Sequence, residues 1–148
     1  MDMTPEKALK GFGAGINCAM LVFSNCASGT GLDEKTAMKI AAGFGGGMGH
    51  GNVCGCVTGA LMALGMKYGN CEPGDMTQMA IFNEKKKLFE EKFTEKFGSV
   101  ICREMQGGLD PNSPAEAAKI AEKGLTLSVC APAVCEACKI LKEIMDEN

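Results

Sequence analysis

Residues 75–97, DMTQMAIFNEKKKLFEEKFTEKF, decide the fold class. Asp75 is a favoured N-cap, and the helix it opens extends to about Phe97. Phe82, Phe89, Phe93 and Phe97 recur at helical spacing and mark its buried stripe. Lys85, Lys86 and Lys87 form a basic run, but Glu84, Glu90, Glu91 and Glu95 surround it, so this face reads as solvated rather than as an anion site. No stretch elsewhere alternates apolar and polar residues with β-branched enrichment, which is what a strand would need.

Outward from this helix the same period persists. Thr4 and Pro5 supply an N-cap and a first helical residue. A second helix spans Cys18 to Cys26 and stops before Gly29 and Gly31; Asp33 caps a third whose inner face is Ala37, Ile40, Ala41 and Phe44. Gly43 to Gly51 reads as a loop, after which Asn52 caps a helix from Val53 to Tyr68. Gly55, Gly59 and Ala63 recur every four residues on that helix, the pattern of a close helix crossing. Ser113-Pro114-Ala115-Glu116 has the form of a capping box, and the last helix runs from Cys130–Pro132 to Met145 with Val134, Ala137, Cys138, Leu141 and Met145 inward. The expectation is an all-α, compact single domain of six to seven short helices, occupying residues 1–148.

With 148 residues, 46% hydrophobic and 22% charged, the chain can bury one real core. A net charge of −3 argues against a nucleic-acid partner, which needs a basic face. Residues Met1 to Lys10 lack the apolar run of a signal peptide, and the most apolar segment, Val53 to Met66, is too short to span a bilayer. No membrane insertion and a cytoplasmic location are therefore expected.

Nine cysteines carry the chemistry. The odd count argues against a secreted disulfide scaffold and for ligands or redox thiols. Cys18, Cys54, Cys102 and Cys130 each follow a helix-start signal (Asn17, Asn52, Ser99 and Ser128). Unpaired N–H groups and the macrodipole favour a thiolate there, by about 0.3–1 kcal/mol each. Packing filler accounts for a single buried cysteine, but not readily for all nine. Cys54 and Cys56 stand about 200° apart if both are helical. Cys130-x4-Cys135-x2-Cys138 has the spacing of plant-type ferredoxins, though on a helix rather than in a loop. His50, the single histidine, reads as an exposed loop residue with ligand or proton donor as the sharper alternative. The glycine run lacks the preceding strand of a dinucleotide site and the Lys-Ser/Thr of a P-loop.

The segment Gly15-Ile16-Asn17-Cys18-Ala19, the loop Phe44 to Gly49, the core Cys54-Gly55-Cys56-Val57-Thr58-Gly59-Ala60, Cys102-Arg103-Glu104 and Cys130 together resemble the C-GCAxxG-C-C family of redox-active proteins. The likeness covers nearly the whole chain and puts the hallmark cysteines at Cys18, Cys54, Cys102 and Cys130. Cys56 stands where that family has Ala, and Cys26, Cys71, Cys135 and Cys138 are additions. A similar module in split-Soret cytochromes is associated with a non-haem iron–sulfur centre. The resemblance thus implies an α-helical fold and a [2Fe–2S] cluster on those four thiols, with a redox protein as partner. The alternatives are a thiol–disulfide or sulfur-handling enzyme, with Cys54 or Cys102 as nucleophile and Arg103 lowering a thiol pKa, and a zinc-binding module. Oligomeric state stays open, a homodimer included.

Overall fold

The structure is a computed structural model that describes residues 2–146. Among these there are eight α-helices and no strand: α1 (Pro5–Gly13), α2 (Cys18–Cys26), α3 (Glu34–Ala41), α4 (Gly55–Tyr68), α5 (Met76–Phe97), α6 (Cys102–Met105), α7 (Pro114–Glu122) and α8 (Ala131–Asp146). Short turns of 3-10 type at Ala27–Thr30 and of π type at Gly47–Gly51 and Thr126–Cys130 join them. Counted as unbroken windings, nine helical stretches replace the expected six to seven. The excess comes from pieces too short to show a period, such as the four-residue α6.

The caps explain the starts. Thr4 Oγ1 accepts from the Lys7 amide at 3.2 Å, Asp33 Oδ1 from the Thr36 amide at 2.9 Å, and Asp75 Oδ1 from the Gln78 amide at 3.0 Å. Each satisfies one of the four amides a helix leaves free. Ser113 begins α7 as expected but makes no side-chain cap bond, so the capping box is not formed. Val53 lies outside α4; the helix begins at Gly55 with Cys54 as its N-cap, and Asn52 does not cap it. Ile40 is exposed rather than part of α3's inner face, which Ala37 and Ala41 supply.

Helix α4 is buried on several sides, by Gly55, Cys56, Val57, Gly59, Ala60, Ala63, Leu64 and Tyr68. Its glycines set the closest crossing in the fold. A Cβ on Gly59 would lie 2.7 Å from the Ala19 carbonyl oxygen, and one on Gly55 would lie 2.9 Å from the Ala19 amide and collide with Cys18 Sγ. The backbones of α2 and α4 therefore touch at Cys18–Ala19, which a side chain would forbid. Helix α8 closes the other side with Val134, Ala137, Leu141 and Ile144, and Tyr68 donates to the Ile144 carbonyl at 3.2 Å. Phe89 and Phe93 of α5 are fully buried with ring centroids 5.8 Å apart, while Phe82 and Phe97 are partly buried against the same core. No single helix among the described residues is long and apolar enough to cross a membrane.

Candidate thiol centre

The sequence gives no sign of the contact that builds the site. Residues 52–54 and 100–102 lie antiparallel, with Val53 opposite Ile101. The Cys54 amide donates to the Val100 carbonyl at 2.7 Å, and the Cys102 amide donates to the Asn52 carbonyl at 2.6 Å. Two cysteines 48 positions apart are thereby fixed diagonally across one bridge, Cys54 opposite Val100 and Cys102 opposite Asn52, on the same face of the pairing. Their amides are spent on this pairing, so they are not free to bond a sulfur.

Cys18 enters from the start of α2. Asn17 fixes that start, its Oδ1 accepting from the Met20 amide at 3.0 Å while its Nδ2 donates to the Ala42 carbonyl at 2.9 Å. The α2–α4 crossing then carries Cys18 against Cys54 and Cys56, whose thiols are hydrogen-bonded to it. These bonds hold the Cys18 thiol well below its ordinary pKa, and the amides of Gly46 and Ala19 help. The same bonds, with burial, push Cys56 well above its usual range. Cys54 is raised too, first by its bond to Cys18 and further by burial, although Cys56 pulls the other way.

Cys102 is buried, and burial pushes its thiol up to about 12, assisted by charge at Cys18, Cys130 and Asp110; Arg103 opposes this only weakly. Arg103 is otherwise engaged, donating to Asp110 Oδ2 at 3.2 Å and to the His50 carbonyl at 3.3 Å. Cys130 is also raised, mainly by burial and in part by the Cys18 charge, against the pull of Gln106. Gln106 Nε2 donates to Cys130 Sγ at 2.8 Å. That amide is 4% exposed, and its Oε1 has no partner.

The glycine run is wound into a turn rather than left as an open loop, and Met48 sits at φ 61° within it. A Cβ on Gly47 would lie 2.8 Å from the Asn52 carbonyl oxygen, so glycine is required where the turn meets the paired segment. Asn112 Nδ2 ties the turn down by donating to the Gly46 carbonyl at 2.8 Å. The turn also serves Cys18, through the Gly46 amide.

Of the four thiols singled out from sequence, Cys18 and Cys54 are in direct contact, Cys102 is held diagonally across the backbone pairing from Cys54, and the Cys18 charge reaches Cys102 and Cys130. Two expectations need correction. Cys130 is not in the first turn of a helix, because winding is continuous from Leu125 through α8 and leaves no free helix end there. Cys56 belongs with Cys18 and Cys54: since α4 starts at Gly55, Cys54 escapes the helical spacing that would hold the two sulfurs apart. Arg103 does pull the Cys102 pKa down, but burial and the neighbouring negative charges outweigh it, so the thiol is raised overall. The His50 side chain is exposed. Among the described residues, no three Cys, His, Asp or Glu side chains are already arranged around one point as metal ligands.

A cysteine-rich, all-α protein with converging thiols is the class that fold and site define. The family model described as "Putative redox-active protein (C_GCAxxG_C_C)" matches residues 16–144, and the chain belongs to that family. No curated protein and no solved structure matches it.

Proposed function

We propose that the protein transfers electrons through an iron–sulfur cluster, of [2Fe–2S] type, held by Cys18, Cys54, Cys102 and Cys130. The observation that carries this reading is convergence. Four cysteines on four separate elements share one electrostatic neighbourhood, in which charge on Cys18 raises both Cys102 and Cys130. Crowded thiolates of this kind repel unless protons or a cationic centre neutralise them. The surroundings suit such a centre, which would supply the one-electron chemistry. The Gly46 amide and Gln106 Nε2 donate to sulfurs, the kind of bond that tunes a cluster's potential. Rotation of the thiols about χ1 is what ligation asks of the chain. A redox protein docking near this end in the cytoplasm is the matching partner.

Anaerobic purification and reconstitution with iron and sulfide, followed by metal and sulfide analysis and EPR of the reduced protein, test this reading. The expected result is a coloured protein with about two irons and two sulfides per chain. A colourless, iron-free chain sinks it, and zinc in place of iron assigns a structural metal site instead.

A second reading rests on a different observation, the depressed pKa of Cys18 beneath two donating thiols. In a thiol–disulfide enzyme the nucleophile is then Cys18, rather than Cys54 or Cys102, with Cys54 or Cys56 resolving the intermediate. Alkylation at graded pH of the protein as purified anaerobically, with any bound metal retained, separates the readings. Rapid modification of Cys18 alone below neutral pH favours the enzyme, and uniform protection favours the cluster.

A further inference from the structure

Helix α2 ends on a second group of sulfurs. Its last residue, Cys26, meets Cys138 of α8, and the Cys138 thiol is hydrogen-bonded to the Cys26 sulfur. Asn25 Nδ2 approaches Cys26 Sγ at 4.0 Å and also serves Cys138. Both cysteines, with Cys135 one turn earlier on α8, line a cleft of about 610 Å³. Lys139 and Lys142 stand on the same wall, with Glu136 and Asp146 among its acidic residues. Neither Cys26 nor Cys138 has a place in the first thiol group, which lies at the other end of α2, about 12 Å away along the axis. Cys26 is half-buried and Cys138 is 8% exposed, so the pair is reachable from the cleft, with Cys26 outermost.

We propose that Cys26 and Cys138 form a dithiol–disulfide couple that exchanges with small thiol-derived disulfides entering this cleft. Cys26 is the attacking sulfur. Its thiolate attacks one sulfur of an external R–S–S–R, a Cys26–S–S–R bond forms, and R–S⁻ leaves to take a proton from water. Cys138 then gives its proton to solvent and attacks Cys26 Sγ, so that the Cys26–Cys138 bond forms and the second R–S⁻ leaves. Two electrons pass from the two cysteine sulfurs to the external disulfide, and two protons finish on its two thiols.

The environment orders these steps. Cys26 is held below its ordinary pKa first by the Cys138 thiol and then by Asn25. The reciprocal bond is the largest cause holding Cys138 up, ahead of burial. Formation of the mixed disulfide removes the Cys26 charge and with it that cause, which frees Cys138 to ionise. The resolving thiol is thus held back until the first exchange has occurred.

The test exposes the reduced, full-length protein to glutathione disulfide, quenches with acid, alkylates the remaining thiols and maps linked peptides by tandem mass spectrometry. A Cys26–Cys138 link is expected about tenfold faster than any adduct at exposed Cys71, with one glutathione disulfide consumed per link. Cys138→Ser should retain glutathione on Cys26, and Cys26→Ser should leave Cys138 unmodified, with circular dichroism confirming that both variants fold. A Cys135–Cys138 link instead, or Cys26 and Cys138 still free to alkylate after Cys71 has reacted, overturns the proposal. The wild-type map decides even if a variant fails to fold.

Discussion

Helix α2 begins on one set of sulfurs and ends on another, and the two ends are built differently. At Cys18 the neighbours arrive from α4, α6 and the segment before α8, held by a backbone pairing and a tied-down glycine turn. At Cys26 the neighbouring sulfurs come from α8 and face an open cleft. Both ends lower the pKa of the α2 cysteine by the same device, a donating thiol, and both raise that of the donor. The difference lies in access and in the number of sulfurs. The first end gathers several thiols, as a multi-ligand centre requires, and the second sets half-buried Cys26 and buried Cys138 along one open cleft, as exchange requires.

The contrast can be broken most severely at the helix crossing. Gly59→Ala drives a methyl group into the Ala19 carbonyl and should cost about 3 kcal/mol, because backbone rather than a flexible side chain must yield. Gly65→Ala on the same helix meets only Phe82, at 3.9 Å, and should gain about 0.5–1 kcal/mol. Urea unfolding of the two variants reads the opposite signs. Equal effects would mean that α2 and α4 do not meet at Ala19.

Alkali acts next. Cys102 keeps its proton up to about pH 12 in the fold, whereas an unfolded thiol with its ordinary pKa of 9.0 has released it. The folded state thus binds more protons between those values. Its stability is intact below about pH 9 and falls as pH rises through 12. Cys54, Cys56, Cys130, Cys135 and Cys138 shift in the same direction, and Cys18 and Cys26 shift oppositely. Thermal melts of the metal-free, reduced protein should show Tm declining across this window, and Cys102→Ser should flatten part of the decline.

The smallest expected effect sharpens the buried end. Gln106→Leu deletes the bond to Cys130 and also removes an unpartnered buried oxygen, so stability should change by less than about 1 kcal/mol. The Cys130 pKa should rise further, since that bond is what lowers it, and its alkylation at pH 9 should slow measurably. A faster reaction would show that Gln106 shields Cys130 rather than polarising it.

What could be read in advance follows from range. The helices α1, α3 and α5 declare themselves through Thr4, Asp33 and Asp75, because a cap and the amide it binds are three residues apart. The glycines of α4 announce a crossing by their four-residue repeat, although not the helix that crosses. The Val53–Ile101 pairing is different. It consists of backbone bonds between segments with no strand pattern, and no residue type marks it. The pairing keeps Val53 and Cys54 out of α4, so the helix starts two residues later than a cap at Asn52 implies and Cys56 joins the thiol group. Ser128 has the residue type of a cap but lies inside a continuous winding, which puts Cys130 away from any helix end. The Cys26–Cys138 contact joins α2 to α8 and depends on how those two helices dock, which no local pattern encodes.

The pairing of residues 52–54 with 100–102 also limits how the intervening chain is measured out. From Cys54 the polypeptide runs along α4, about 21 Å, turns, and follows α5 for about 33 Å before closing on its own beginning. This excursion is a ring shut by two hydrogen bonds. One residue added within α5 would turn everything beyond it by about 100° and shift it by about 1.5 Å, so Val100 would arrive facing the wrong way. The interval between these two cysteines is thus a mechanical dimension of the scaffold, and length changes there are tolerable only where the bend between α4 and α5 absorbs them.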